Sequence, residues 1–90
     1  MPRPRTATPR SSHHAALGQA ITLLMAEDPR MTLDTVVADS GLNEKLIGTY
    51  IRGQGNPNYS SLLKLCNGLH VSPVTLMLRA EELYDKRHGR

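Results

Sequence analysis

Apolar side chains recur along this chain at helical spacing in five separated stretches. Leu17, Ala20, Ile21 and Leu24 fall at i, i+3, i+4 and i+7, the single stripe of a first helix. Ser11 or Ser12 supplies its N-cap, and Asp28-Pro29 ends it, because a residue before proline is pushed out of the helical region. Thr32 caps a second, short helix with Asp34 in its first turn, and Met31 ahead of the cap can staple onto Val36. Gly41 stands where that helix must turn, a place that asks for positive φ. Asn43 caps a third helix, again with a staple, Leu42 onto Ile47. Its inward stripe is Ile47, Tyr50 and Ile51; Glu44, Lys45, Gly48, Thr49 and Arg52 lie mostly outward, and Gly53 stops it. Asn58 caps a fourth helix with the stripe Leu62, Leu65, Cys66 and Leu69, ended at His70. Ser72-Pro73 opens a fifth, in which Val74, Met77 and Leu78 are expected to face inward, ending near Tyr84.

Composition supports an all-helical core. Phe and Trp are absent and there are three Tyr, so Leu, Ile, Val, Met and Ala must supply the packing, a palette that favours helices over sheets. Ninety residues make one domain with a compact core. No apolar run approaches the ~20 residues of a membrane span, and no secretory apolar segment follows the N-terminal arginines, so no membrane partner is expected and the location is expected to be cytoplasmic. Cys66 is the one cysteine, which excludes an internal disulfide and a four-cysteine zinc site; it is expected to be a small buried side chain.

The net charge is +3, but its distribution matters more than its sum. Residues 1–14 hold Arg3, Arg5 and Arg10 without an acid, and residues 86–90 hold Lys86, Arg87 and Arg90 without one. Between them, five bases stand against eight acids, so the body carries −3 and the termini make the chain basic. Pro2, Pro4 and Pro9 among Arg and Thr give residues 1–12 the composition of a flexible basic arm. Residues 13–85 are then the folded domain, and residues 86–90 a short basic tail.

The pattern resembles the lambda repressor and Cro-like, or Xre-like, helix-turn-helix family over about residues 15–82. The resemblance rests on Met31-Thr32 opening the second helix, Ala38 inside it, Gly41-Leu42-Asn43 at the turn, Ile47, Arg52-Gly53, Asn56-Pro57, and Leu62 through Leu65 to Leu69-His70-Val71-Ser72-Pro73. It implies a compact five-helix, lambda-repressor-like fold in which residues 32–53 form the helix-turn-helix and the segment 43–52 enters the major groove of double-stranded DNA. It implies base contacts from Glu44, Lys45 and Thr49 and DNA-backbone contacts from Thr32, Asn43, Arg52 and Asn56. Lys45 can donate to guanine and Glu44 accept from cytosine. Two departures stand out: Leu33 and Ile51 replace the Gln and Glu common in the family, and together they can form an apolar contact. Gly48 in a helix interior costs about 1 kcal/mol relative to Ala, and can admit a close approach to DNA.

Each candidate has a plainer alternative. Glu44, Lys45, Thr49 and Arg52 are either a DNA-reading face or a solvated one. Arg3 and Arg5 either enter a minor groove or belong to a solubilising tail. Leu76, Leu83 and Tyr84 either form a dimer surface or complete the core. His13-His14 lacks the further ligands of a metal site, and Ser61 with Lys64 forms a lone Ser-x-x-Lys without an oxyanion site, so neither metal, cofactor nor enzymatic activity is expected. The expected function is a sequence-specific regulator of transcription, repressor-like, of bacterial or phage origin and nucleoid-associated, acting as a homodimer on an inverted repeat. The alternative is an antitoxin-like or phage-type control protein that works mainly through a protein partner.

Overall fold

The structure is a computed structural model that describes residues 10–88. Among them the elements are α1 (Ser12–Glu27), α2 (Leu33–Ser40), α3 (Glu44–Ile51), α4 (Tyr59–Leu69) and α5 (Pro73–Arg87), with no strand. Every helix starts at a polar N-cap: Ser11, Thr32, Asn43, Asn58 and Ser72 each accept a hydrogen bond from the backbone N–H three residues on. At Thr32 the bond is reciprocal, since the backbone N–H of Thr32 donates to Thr35 Oγ1 at 3.0 Å and that of Thr35 donates to Thr32 Oγ1 at 3.2 Å. Gly41 ends α2 at φ 76°, and His70 ends α4 in the same left-handed region at φ 57°.

α1 packs chiefly on α5 and also on α3, while α2 packs chiefly on α4. Ile21, Val36, Ile47, Leu65, Leu69 and Leu76 meet in the middle with essentially no exposure. Cys66 is buried among them, and burial pushes its thiol pKa up, so it stays neutral and apolar in character. Two glycines set the spacing. A Cβ at Gly18 would collide with the carbonyl of Ile51, so α1 and α3 touch backbone to backbone; a Cβ at Gly68 would lie 2.7 Å from both Ser40 Cβ and the Val36 carbonyl, so α4 lies equally close to α2. The two helices of the helix-turn-helix are each held from behind by a helix that gave up a side chain.

Three expectations are corrected. Ala38 is exposed, because the buried side of α2 runs through Leu33, Val36, Val37 and Ser40, the i, i+3, i+4, i+7 set that excludes position 38. Ser40 is buried where Gly68 crosses, and its hydroxyl is satisfied by Val37 O and the Leu42 N–H. On α5, Val74, Met77 and Leu78 face solvent, at 67%, 47% and 56% exposure. Leu76, Ala80 and Leu83 face the core instead. Continuing the Val74 stripe by a further turn would bury Glu81 and Asp85, whereas the Leu76 stripe continues through Ala80 and Leu83, with arginines only at its edge and end. Leu76 is therefore a core residue and not part of a surface. Leu83 is half-buried against the same core, and Tyr84 is half-buried with its ring stacked on His13 at 3.9 Å.

α5 also runs a turn beyond Tyr84. Lys86 and Arg87 occupy its last turn, where cations favour the helix dipole, and Arg87 Nη2 donates to Gln19 Oε1 at 3.4 Å. At the other end of the α1–α5 pair, the Arg79 guanidinium donates to both carboxylate oxygens of Glu27, at 2.5 and 3.3 Å. That hydrogen bonding holds the Glu27 carboxyl below the usual carboxylate range and raises the Arg79 pKa.

Candidate nucleic-acid interface

Residues 32–53 form two short helices joined by a turn at residues 41–43. Leu42 and Ile47 are buried beneath the turn, so the start of α3 is fixed to the core. Asn43 Oδ1 accepts the Leu46 N–H at 2.7 Å, a short bond that sets the direction of the first turn, and an Asn used this way keeps its amide donors for a partner. With Ile47 and Tyr50 buried, and Leu46 and Ile51 half-buried against the core, α3 exposes Glu44, Lys45 and Arg52, with Gly48 half-buried between them.

Glu44 and Lys45 are exposed on the first turn. Thr49, expected beside them, is half-buried: its hydroxyl donates to the Lys45 carbonyl at 2.9 Å and accepts from Arg52 Nη2 at 3.4 Å. Thr49 thus braces Arg52, which caps the C-terminal end of α3 and is exposed. Thr32 is exposed at the start of α2, with its hydroxyl engaged in the capping box. Asn56 is exposed, and its Oδ1 lies 3.4 Å from His14 Nε2, while His14 Nδ1 lies 2.7 Å from Ser11 Oγ. Leu33 and Ile51 are both half-buried against the core, in keeping with an apolar role.

Arg3 and Arg5 lie outside the described residues. Arg10 does not, and its backbone N–H donates to Gly53 O at 2.8 Å. An arginine counted from the sequence as part of the arm is thereby fixed at the end of α3, beside Arg52. Sequence spacing held no signal for this, since 43 residues separate the two partners. The α3 face is a mixed one, with Lys45 and Arg52 against Glu44, and the Arg10 backbone is tied just beyond its end.

A second surface lies apart from α3. α5 exposes Val74, Met77 and Leu78, and Met77 also lines a groove of about 590 Å³ together with Leu17, Pro57, Leu62 and Tyr84 and the polar His13, Asn56, Glu81 and Asp85. Among the described residues there is no group of three or more His, Cys, Asp or Glu placed to hold a metal ion, and no helix long and apolar enough to cross a membrane.

No family model and no curated protein matches the chain. Its structure is similar to that of the restriction-modification controller protein C.AhdI from Aeromonas hydrophila, with a TM-score of 0.67 and 27% sequence identity over 73% of this chain and 98% of that one. The chain is a compact all-α domain of five helices with a helix-turn-helix, the fold it shares with that controller protein.

Proposed function

We propose that this protein is a sequence-specific transcriptional regulator that seats α3 in the major groove of double-stranded DNA and acts as a homodimer on an inverted repeat. The observation that carries the reading is the exposed polar face of α3, held by α2 across the Gly41 turn, in a fold also found in a controller protein of restriction and modification. A major groove about 12 Å wide admits one such helix. In this pose Lys45 and Glu44 meet base edges at the first turn, and Thr49 acts beside them by bracing Arg52. Arg52, Asn43, Thr32 and Asn56 meet the sugar-phosphate backbone. Arg10 adds a cation at the end of α3, and Arg5, five residues further up the chain, can reach about 17 Å from it, enough to carry the arm toward a neighbouring minor groove. The reading is of a binding protein without catalysis, working on the bacterial or phage nucleoid.

One α3 reads too few base pairs to find a site in a genome, which is the argument for a dimer. The surface that suits it is the exposed stripe of Val74, Met77 and Leu78, not the buried Leu76. The same stripe and its groove favour the second reading, a control protein whose main partner is another protein. Titrating a labelled duplex at increasing salt separates the two. DNA recognition through Lys45, Arg52, Arg10 and the arm requires affinity that falls steeply with salt. Absence of any complex at low salt would leave the protein-partner reading standing alone.

A further inference from the structure

Six glycines lie among the described residues, and five are explained by the fold. Gly18, Gly55 and Gly68 leave no room for a Cβ, and Gly41 and Gly53 adopt positive φ. Gly48 is different. It sits inside α3, where glycine is a poorer helix former than any residue except proline, and the sole atom within 4 Å of a Cβ built there is Arg52 Nη1 at 3.2 Å. That atom is the tip of an exposed side chain held by one long hydrogen bond to Thr49, at 3.4 Å, and it can give by the few tenths of an ångström a methyl needs. The fold therefore has room for a side chain at position 48 and would gain from one.

The position is also central. Glu44, Gly48 and Arg52 stand at i, i+4 and i+8 in one line along the outward face, with Lys45 beside them. The middle of the face is thus low, with a half-buried backbone at its floor that only the tip of Arg52 overlies, and with Glu44 and Lys45 beside it.

We infer that Gly48 is the point of closest approach between this protein and DNA, the missing side chain letting the α3 backbone settle against the groove so that Glu44, Lys45 and Arg52 reach past it on either side. The inference rests on the DNA-binding reading above and adds to it the depth at which α3 sits. A base edge or a thymine methyl then packs directly on the Gly48 backbone, and a larger residue there holds the helix off the groove floor.

The test uses the full chain and a duplex recovered from a random-sequence pool by the wild-type protein. Gly48→Ala and Gly48→Leu are both better helix formers, so both are expected to melt at higher temperature than wild type. Both are also expected to bind the duplex more weakly, Ala by about tenfold and Leu by more, a factor of ten in Kd being the scale of one lost groove contact. The salt slope is expected to fall by no more than that of Arg52→Ala, since the only cation that has to move is Arg52; a loss of affinity fully accounted for by Arg52→Ala would overturn the inference. Variants that bind as tightly as wild type would overturn the inference while leaving DNA binding intact, and so would variants that melt lower, which would mean that the fold itself requires glycine. A wild-type protein that recovers no duplex would overturn the DNA-binding reading together with this one.

Discussion

Lys45 and Arg52 are the two cations on the outward face of α3, and the proposed pose gives them different work. Lys45 points from the first turn, where base edges are met; Arg52 stands at the far end, where a phosphate is. Lys45→Ala is expected to lose about 1–3 kcal/mol on the preferred sequence and to relax preference at one defined base pair. Arg52→Ala is expected to weaken all duplexes alike and to reduce the salt slope by about 1. Affinity measured on matched and mismatched duplexes at two salt concentrations checks both. A different prediction concerns Glu27. Its pKa is lowered in the folded state, so the stability it contributes is present above the ordinary carboxylate pKa and is lost as pH falls through the folded value. Melting curves of Glu27→Gln and wild type should therefore differ near neutral pH and converge in acid, with the gap shrinking at high salt because the pair is partly exposed. The caps at Thr32, Asn43, Asn58 and Ser72 were legible in the sequence, and the first was narrowed to Ser11 or Ser12, since capping is a matter of a few neighbouring residues. The Glu27–Arg79 pair and the seating of Arg10 on Gly53 were not, because each joins positions that only the tertiary fold brings together.

At the level of elements, α2 and α3 keep their mutual angle because α4 and α1 press on them through Gly68 and Gly18. A methyl at position 18 has to push against the Ile51 carbonyl, a backbone atom that cannot rotate away. Gly18→Ala is expected to destabilise the protein by about 1–3 kcal/mol, the usual range for overpacking, and to weaken DNA binding in the fraction that stays folded by displacing the end of α3. Thermal melting together with binding at a temperature where the variant is fully folded checks this. The contrast with Gly48, where the same methyl is expected to stabilise the fold, makes the pair informative. The phase of α5 differs from the one its local pattern suggests. Val74, Met77 and Leu78 form as good a local stripe as Leu76, Ala80 and Leu83, and periodicity over one turn cannot choose between them. The choice is made by the next turns of the helix, which put Glu81 and Asp85 on one stripe and Leu83 on the other, and by the α1 surface that must be covered.

For the whole molecule, the proposed function divides the work of binding between the acidic body and the basic termini. α3 can select bases, but with Lys45 and Arg52 offset by Glu44 it supplies little of the phosphate attraction that dominates affinity. In the proposed reading the remainder comes from Arg10, the N-terminal arm and a second subunit. The second subunit is expected to dock on the exposed stripe of α5. Met77→Glu or Leu78→Glu should then lower the mass seen in sedimentation and weaken binding to a two-half-site duplex, while leaving the melting temperature nearly unchanged, since neither side chain is in the core. The five-helix order and the turn at Gly41 could be read from the chain because each is written in caps and stripes. The surface left apolar could not, because it depends on which stripe the core takes. The central claim, that α3 reads DNA sequence in the major groove, is tested most directly by selecting duplexes from a random pool with wild type and Lys45→Ala in parallel. The account predicts that wild type enriches an inverted repeat with half-sites about 10 base pairs apart or a multiple of that, and that Lys45→Ala loses preference at one symmetric position in each half-site. Enrichment of no sequence by the wild-type protein, or the same sequence enriched equally by both, would contradict it.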